Sequence, residues 1–373
     1  MNGAPARRVM LVQTQAENAG AQQISRMLAA DFAARGYDVR QVFFFRRTAS
    51  FDQSANVEFC ASERPGRPIA FLRFLIRLYA VLRESRPDVV IAFQHYGNII
   101  AAPVARLAGV KSVIANQVSA EAMMGRAIFA ADRFLGTSGV YDRIVVNSDH
   151  TAKMFEAYPP SYRKRVVRID HGFEDKTLSL SPGQARGELG LPLDVPLLGC
   201  VARLHPLKQL DAAIRALALI EGAHLALAGQ GQDLPRLEAL ARELGVIDRV
   251  HFLGEISPRK VGVLLAALNC FVFPSTSETF GLAPVEAAQA GVPVIANNIE
   301  VLREVLSVDD EPCAVFVEAT DSAAFAAAIR HVLDDSAAAA RLSAAGRRLK
   351  QRYPLSRMTD AYAGLMNELI GRA

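Results

Sequence analysis

What most constrains this chain is an alternation that runs, lapses and restarts. Short apolar runs of strand length are followed by longer stretches with helical spacing. VMLVQT (Val9–Thr14) reads as a strand. After it, Ile24, Leu28 and Phe32 fall four residues apart on one helix face, and Gly36 stops that helix. DVRQVFFF, VVIAFQ, SVIANQ and RIVVNS are further strands. Strands that are apolar along their whole length belong in a parallel sheet covered on both faces. The pattern lapses at Asp175–Pro196, a Ser-, Pro- and Gly-rich stretch that reads as a linker. It restarts with LLGCVARL, HLALAGQG, RVHFLGE, NCFVFPS, VPVIANN and CAVFVEA. A chain of 373 residues suits two such domains better than one core. The predicted fold is α/β, with two Rossmann-like, doubly wound parallel-sheet domains facing a cleft. Their predicted extents are 1–178 and 179–353, and a helix at 354–373, after Pro354, is expected to cross back to the first domain. Ligands of such sheets bind beyond the carboxyl ends of the strands, so the loops after strands are where chemistry is expected.

Composition narrows the class. A hydrophobic fraction of 51% with 21% charged residues indicates a globular chain and excludes a disordered one. No apolar run reaches the ~20 residues of a membrane span, and MNGAPARRVMLVQT lacks a signal peptide's plan. The expected location is the cytoplasm. Cys60, Cys200, Cys270 and Cys313 are far apart with no CxxC pair, so neither a zinc site nor a disulfide frame is expected. The last three sit in apolar runs and read as buried small hydrophobes. Residues 1–190 hold 25 basic against 17 acidic side chains, and the remainder 17 against 21. The helix Arg67–Arg86 places Arg73 and Arg77 on one face, among many Leu, Ile and Phe. Two readings stand: a core-facing helix with a solvated basic side, or a surface making peripheral contact with an anionic membrane, on its inner face.

The stretch FPSTSETFGLAPVEAAQAG separates Glu278 from Glu286 by seven residues in a run nearly free of other charge. A strand precedes it and a helix begins near Pro284, whose missing N–H costs little in a first turn. The backbone N–H groups of Phe280, Gly281 and Leu282 then stand at a helix N-terminus, which favours an anion. Carboxylates accept hydrogen bonds only and suit hydroxyl-bearing ligands such as a ribose or hexose. The plainer reading is a helix-start glutamate and a solvated loop residue. Arg203 and Lys208 follow another strand, and two cations before a helix suit a diphosphate. Gly229 and Gly231 follow a third strand and are candidate donor-binding residues, though a tight turn before a helix capped by Asp233 accounts for the pair on its own.

Together and in this order, RLHPLK, GQG, FLG and ETFGLAPVE resemble the retaining glycosyltransferases of family four, which have the GT-B fold. The resemblance covers the whole second domain. It extends to the first through GAQQISRMLAADFAARGYDV and RPDVVIAF. It implies that Arg203 and Lys208 hold the donor diphosphate and stabilise it as leaving group, and that Glu286 binds the ribose. Glu278 would face the donor sugar, with the amides of Phe280, Gly281 and Leu282 near its hydroxyls and phosphate. Gly20 would lie in a loop over the phosphates, and Phe252, Leu253 and Gly254 near the base. The leaving phosphate can take the acceptor's proton, so no protein base is needed. With no Asp-x-Asp triplet in the chain, no metal or other cofactor is expected. The two glutamates are therefore not read as a hydrolase acid/base pair.

The chain departs from the pattern in places. Ala19–Gly20 stands for a Gly-Gly pair, Gln117 for a common His, and NNIEVLREV lacks a Gly-Gly pair though Glu304 fits. His95 and Gln117, at strand ends, are the candidate acceptor or sugar contacts. The loops 94–98 and 118–125 would build the acceptor side. The implied activity is transfer from a UDP sugar, before GDP or ADP, to a carbohydrate or lipid-linked acceptor in bacterial-type cell-surface polysaccharide, lipopolysaccharide or exopolysaccharide synthesis. Alternatives are a transferase making a small soluble glycoside or glycolipid, a nucleotide-sugar-binding subunit without turnover, and a non-hydrolysing epimerase, which would lack the two-glutamate motif. No nucleic-acid partner is expected.

Overall fold

A computed structural model describes residues 6–52, 54, 56–118 and 125–371. Seven strands form the first sheet: β1 (Arg8–Ala16), β2 (Asp38–Arg46), β3 (Val57–Ala61), β4 (Val89–Phe93), β5 (Ser112–Gln117), β6 (Arg143–Val146) and β7 (Val166–Arg168). Their order is β3-β2-β1-β4-β5-β6-β7, and every pairing is parallel. Parallel neighbours need crossovers, which helices such as α1 (Gly20–Ala34) and α2 (Pro68–Ser85) supply. α1 buries Ile24, Leu28 and Phe32, as their spacing predicts, and Gly36 follows it at φ +86°. β3 and β7 escape the sequence reading because one is a half-buried edge strand and the other has three residues.

The second sheet comprises β8 (Leu197–Val201), β9 (His224–Ala228), β10 (Val250–Gly254), β11 (Cys270–Phe273) and β12 (Val294–Asn297), then, past a small antiparallel hairpin of β13 (Ser307–Val308) and β14 (Glu311–Pro312), β15 (Val315–Val317). Its order is β10-β9-β8-β11-β12-β15, again parallel throughout. Each sheet reverses its winding once, between β1 and β4 and between β8 and β11. A crevice opens at the strand ends of such a switch point, and it is the usual ligand site of an open α/β sheet.

The chain divides into two units, Met1–Gly172 with Leu355–Ala373, and Phe173–Pro354. The C-terminal helix Leu355–Gly371 belongs with the first: Arg35 binds Asp360 at 2.6 Å, Arg143 binds Glu368 at 2.6 Å, and the Tyr362 hydroxyl donates to Asn116. The boundary after Gly172 falls earlier than the 178 read from sequence. Phe173 donates its N–H to the Tyr353 carbonyl at 3.1 Å and packs its ring on Phe280 and Tyr353.

The stretch expected to be a linker is instead built into the second unit. Ser181 and Gln184 close a capping box on the helix Pro182–Leu189, so the Ser-Pro-Gly composition marks a helix start. Leu178, Leu180 and Leu191 pack with Val263 and Leu264. Arg186 is buried and donates to the carbonyls of Ala267 and Val195. Cys200, Cys270 and Cys313 are buried, and all four cysteines are free. No helix among the described residues is long and apolar enough to cross a membrane.

Candidate functional site

β8 and β11 flank the switch point of the second sheet. Pairing continues past the end of β8: the Ala202 N–H donates to the Ala228 carbonyl and the Leu204 N–H to the Gln230 carbonyl, both at 3.0 Å. The Arg203 loop therefore rides on the segment 228–231. That approach requires both glycines. A Cβ at Gly229 would stand 1.9 Å from the Ala202 carbonyl oxygen, and one at Gly231 would stand 2.1 Å from that of Leu204. Gly229 also sits at φ +139°. Asp233 does not cap its helix with its side chain; its carboxylate binds Arg236 at 2.7 Å, which corrects the sequence reading. Gly254, ending β10 at φ +64°, accepts from the Gly229 N–H at 2.7 Å, while Phe252 and Leu253 are half-buried.

After Arg203 a single turn, Pro206–Lys208, presents Lys208. His205 Nδ1 accepts the Leu207 N–H at 3.3 Å, and Gln209 takes a left-handed φ of +44° to start the next helix. Burial, then the charge of Arg203, pushes the His205 imidazole below its usual range. Lys208 Nζ reaches across the switch point to Glu278 Oε1 at 2.5 Å and lies 5.7 Å from the centre of the Phe273 ring. One carbonyl ties the two loops: Leu207 O accepts from the Thr276 N–H at 3.0 Å and from the Ser275 hydroxyl at 3.3 Å.

Gly281 precedes the helix Leu282–Gln289 at φ +91°, a backbone state that favours glycine. The Phe280 ring is buried against Phe173 and Tyr353, so it faces the core. Glu286, one turn into the helix, binds Lys176 Nζ at 2.6 Å; the two side chains are 5% and 8% exposed. Lys176 is the site residue that sequence reasoning missed. It lies in the supposed linker, in no motif, and becomes a partner only when that segment packs. Gly262 permits the packing, since a Cβ there would stand 2.9 Å from the Lys176 carbonyl oxygen. The neighbouring Asp175 turns to Lys350 at 2.7 Å, and that hydrogen bond, with others from Thr177, holds its carboxyl at about 2. The structure thus gives each motif glutamate its own lysine.

In the first unit, Gly20 opens α1, with Ala19 at the N-cap position making no side-chain cap. His95 follows β4 in the first turn of a helical run that continues to Leu107, its ring centre 4.4 Å from that of Tyr96, and burial pushes its pKa down. Gln117 departs from the expected sugar contact. It is buried, donates to Asp132 Oδ1 at 2.6 Å, and lies 3.3 Å from the Tyr162 hydroxyl, which donates to Asp132 Oδ2 at 2.7 Å. The helix Arg126–Ser138 and Tyr162 close over this strand end and use its amide internally. Burial pushes the Asp132 pKa up against these hydrogen bonds. The loop 118–125 lies outside the described residues over positions 119–124.

Residues 183–349 match the family model for glycosyl transferases group 1, and residues 19–170 match the glycosyl transferase 4-like domain. The lipopolysaccharide core biosynthesis glycosyltransferase LpsD of Rhizobium meliloti is 31% identical over 310 residues, covering 82% of this chain and 83% of LpsD.

This chain belongs to the glycosyltransferases.

A D-inositol 3-phosphate glycosyltransferase of Mycolicibacterium smegmatis is 34% identical over 54% of this glycosyltransferase, and the match spans about half, 48%, of that relative's length. HepE of Anabaena, solved in complex with UDP-glucose, superposes with a TM-score of 0.84 at 18% identity, covering 97% of this chain and 99% of HepE. WaaG, a glycosyltransferase of lipopolysaccharide biosynthesis, gives 0.76 at 20%, covering 96% and 99%. At those identities the likeness concerns the fold, which is GT-B.

Proposed function

We propose that this glycosyltransferase moves a sugar from a nucleoside diphosphate, UDP before GDP or ADP, to an acceptor hydroxyl, with retention and without a metal. The observation that carries the reading is the Lys208–Glu278 pair across the switch point, on the loop that also bears Arg203. Breaking the bond between C1 and the phosphate oxygen builds negative charge on the diphosphate and oxocarbenium character on the sugar. Placed cations lower that barrier electrostatically. Arg203 and Lys208 take the diphosphate, and the amides at Phe280, Gly281 and Leu282 add donors at a helix start. Glu278 faces the sugar. It also neutralises Lys208, and a partly exposed pair of this kind exchanges partners at little cost, so an arriving diphosphate competes for the same ammonium. Glu286 accepts from the ribose hydroxyls. Gly20 serves the phosphates, and Phe252, Leu253 and Gly254 the base. The acceptor oxygen joins C1 on the face the phosphate leaves, and its proton passes to the departing phosphate.

LpsD's part in lipopolysaccharide core biosynthesis supports a cell-surface glycan and a carbohydrate or lipid-linked acceptor, made in the cytoplasm or at its membrane face. HepE's complex with UDP-glucose supports a uridine donor. The likeness to D-inositol 3-phosphate glycosyltransferases favours a second reading, a small phosphorylated polyol as acceptor. Calorimetric titration of UDP, GDP and ADP without metal, on the wild type and on Glu286→Ala, tests the donor site. One nucleotide should bind, and bind at least about tenfold more weakly to the variant. Equal binding to both proteins would remove Glu286 from the site. Turnover of the matching sugar donor would exclude a subunit that only binds.

A further inference from the structure

Ten large apolar side chains stand exposed among the described residues, and five belong to α2: Ile69, Phe71, Leu72, Ile76 and Tyr79. The inward side of α2 is accounted for by Phe74, Leu78, Val81 and Leu82, which are buried. The outward side of such a helix is ordinarily polar. Here Ile69, Leu72, Ile76 and Tyr79 follow one another at spacings of three, four and three, so they form one stripe pointing away from the core. Ile69 is 68% exposed, Leu72 57% and Ile76 58%. Arg83 donates to the Ala108 carbonyl at 3.3 Å, which sets Leu107, itself 76% exposed, beside the same helix. A contiguous apolar ridge of this kind marks an interaction surface.

Its charge says what kind. Residues 63–86 hold Arg64, Arg67, Arg73, Arg77, Arg83 and Arg86 against Glu63 and Glu84. Arg77 is answered by Glu58 at 2.5 Å. Arg67 and Arg73 have no acidic partner among the described residues. Both line a cavity of about 970 Å³ between β3 and the start of α2, together with Cys60, Ile69, Phe74 and Arg77. An apolar floor under a basic rim fits a phosphate head group that carries hydrocarbon. A second copy of the chain fits poorly, because a two-fold contact sets this patch against itself and brings like charges together.

We infer that α2 and the arginines at its N-terminal end are a docking face for an anionic phospholipid bilayer. Ile69, Leu72, Ile76 and Tyr79 enter the interface, and Arg67 and Arg73 take lipid phosphates. The helix lies in the interface plane, since it is too short and too charged to span. This goes beyond the transferase reading and holds whichever donor the enzyme uses.

Flotation of the full chain with vesicles tests it. Binding to mixed phosphatidylcholine–phosphatidylglycerol vesicles should exceed binding to phosphatidylcholine alone by at least about tenfold and should weaken with salt. Ile69→Ser/Leu72→Ser/Ile76→Ser should lose at least about tenfold. Arg67→Glu/Arg73→Glu, which touches no packing, should lose the preference for anionic lipid. Equal binding to both vesicle types, or wild-type binding by the serine variant, would overturn the inference. So would a lipid-free dimer that the serine substitutions turn into monomer, which would assign the face to a second copy. Nucleotide titration of the same variants separates this outcome from the donor-site reading: they should bind nucleotide as the wild type does.

Discussion

The two sheets share a plan, yet their strand ends are finished in opposite ways. Beyond β8 and β11 the second unit carries ammonium–carboxylate pairs, Lys208–Glu278 and Lys176–Glu286. Beyond β5 the first unit carries a closed network of an amide, a carboxyl and a phenol, Gln117–Asp132–Tyr162. A network whose members satisfy one another inside the fold is a wall. A partly exposed ion pair is a reservoir of charge that an anion can enter. The contrast between a wall and a charge reservoir separates scaffold from site more sharply than position in the sheet does, and it can be attacked at either end.

The largest effect is expected at the pair that lies between the two types. Lys176–Glu286 is ionic like the site but buried like the wall. Lys176→Ala takes the ammonium away from a buried carboxylate and should cost about 3–5 kcal/mol of stability, read by thermal unfolding. Adding Glu286→Gln should recover much of that stability without recovering nucleotide affinity, because the ribose contact is then altered. If the double variant regains both, Glu286 is part of the wall.

Lys208→Ala comes next. Losing one preorganised cation from the transition state should lower turnover about 10²–10³-fold, while the melting temperature stays close to wild type, since the pair is partly exposed. A matching loss of folding stability would make the lysine structural. The mirror experiment in the first unit is Asp132→Ala. It strands the Tyr162 hydroxyl proton, leaves the Gln117 amide only its longer bond to Tyr162, and should cost about 1–3 kcal/mol, with nucleotide affinity unchanged. Lost transfer at full stability would reopen Gln117 as a substrate contact.

Legibility follows the same division. The sheet strands are readable because β4, β8, β9 and β11 are apolar nearly throughout, and Glu278, Glu286, Arg203 and Lys208 stand out because they fall at fixed spacing in the segments that follow strands. Lys176 was not readable, because its role depends on a segment packing against Gly262 and a helix more than a hundred positions away. Gln117 misled for the same reason: its partners come from residues 132 and 162, and burial, which no local pattern records, decides that it faces inward. In the sequence Gly229 and Gly231 suggest a turn, whereas the demand on them comes from the backbone of Ala202 and Leu204.

The smallest effect is expected next door to the largest. Asp175 and Lys176 are neighbours, yet Asp175 binds Lys350 at the surface, with side chains 57% and 34% exposed. Its folded pKa, about 2, lies below the ordinary 3.8. A depressed carboxyl contributes stability above pH 3.8 and loses it as pH falls towards 2. At this exposure the contribution should be under about 1 kcal/mol and should shrink with salt. Melting curves of wild type and Lys350→Met should therefore differ slightly above pH 3.8 and converge near 2. Nucleotide binding at neutral pH should be the same in both. If Lys350→Met weakens it instead, the surface pair sets where Lys176 stands, and the donor site reaches outward through one residue of chain.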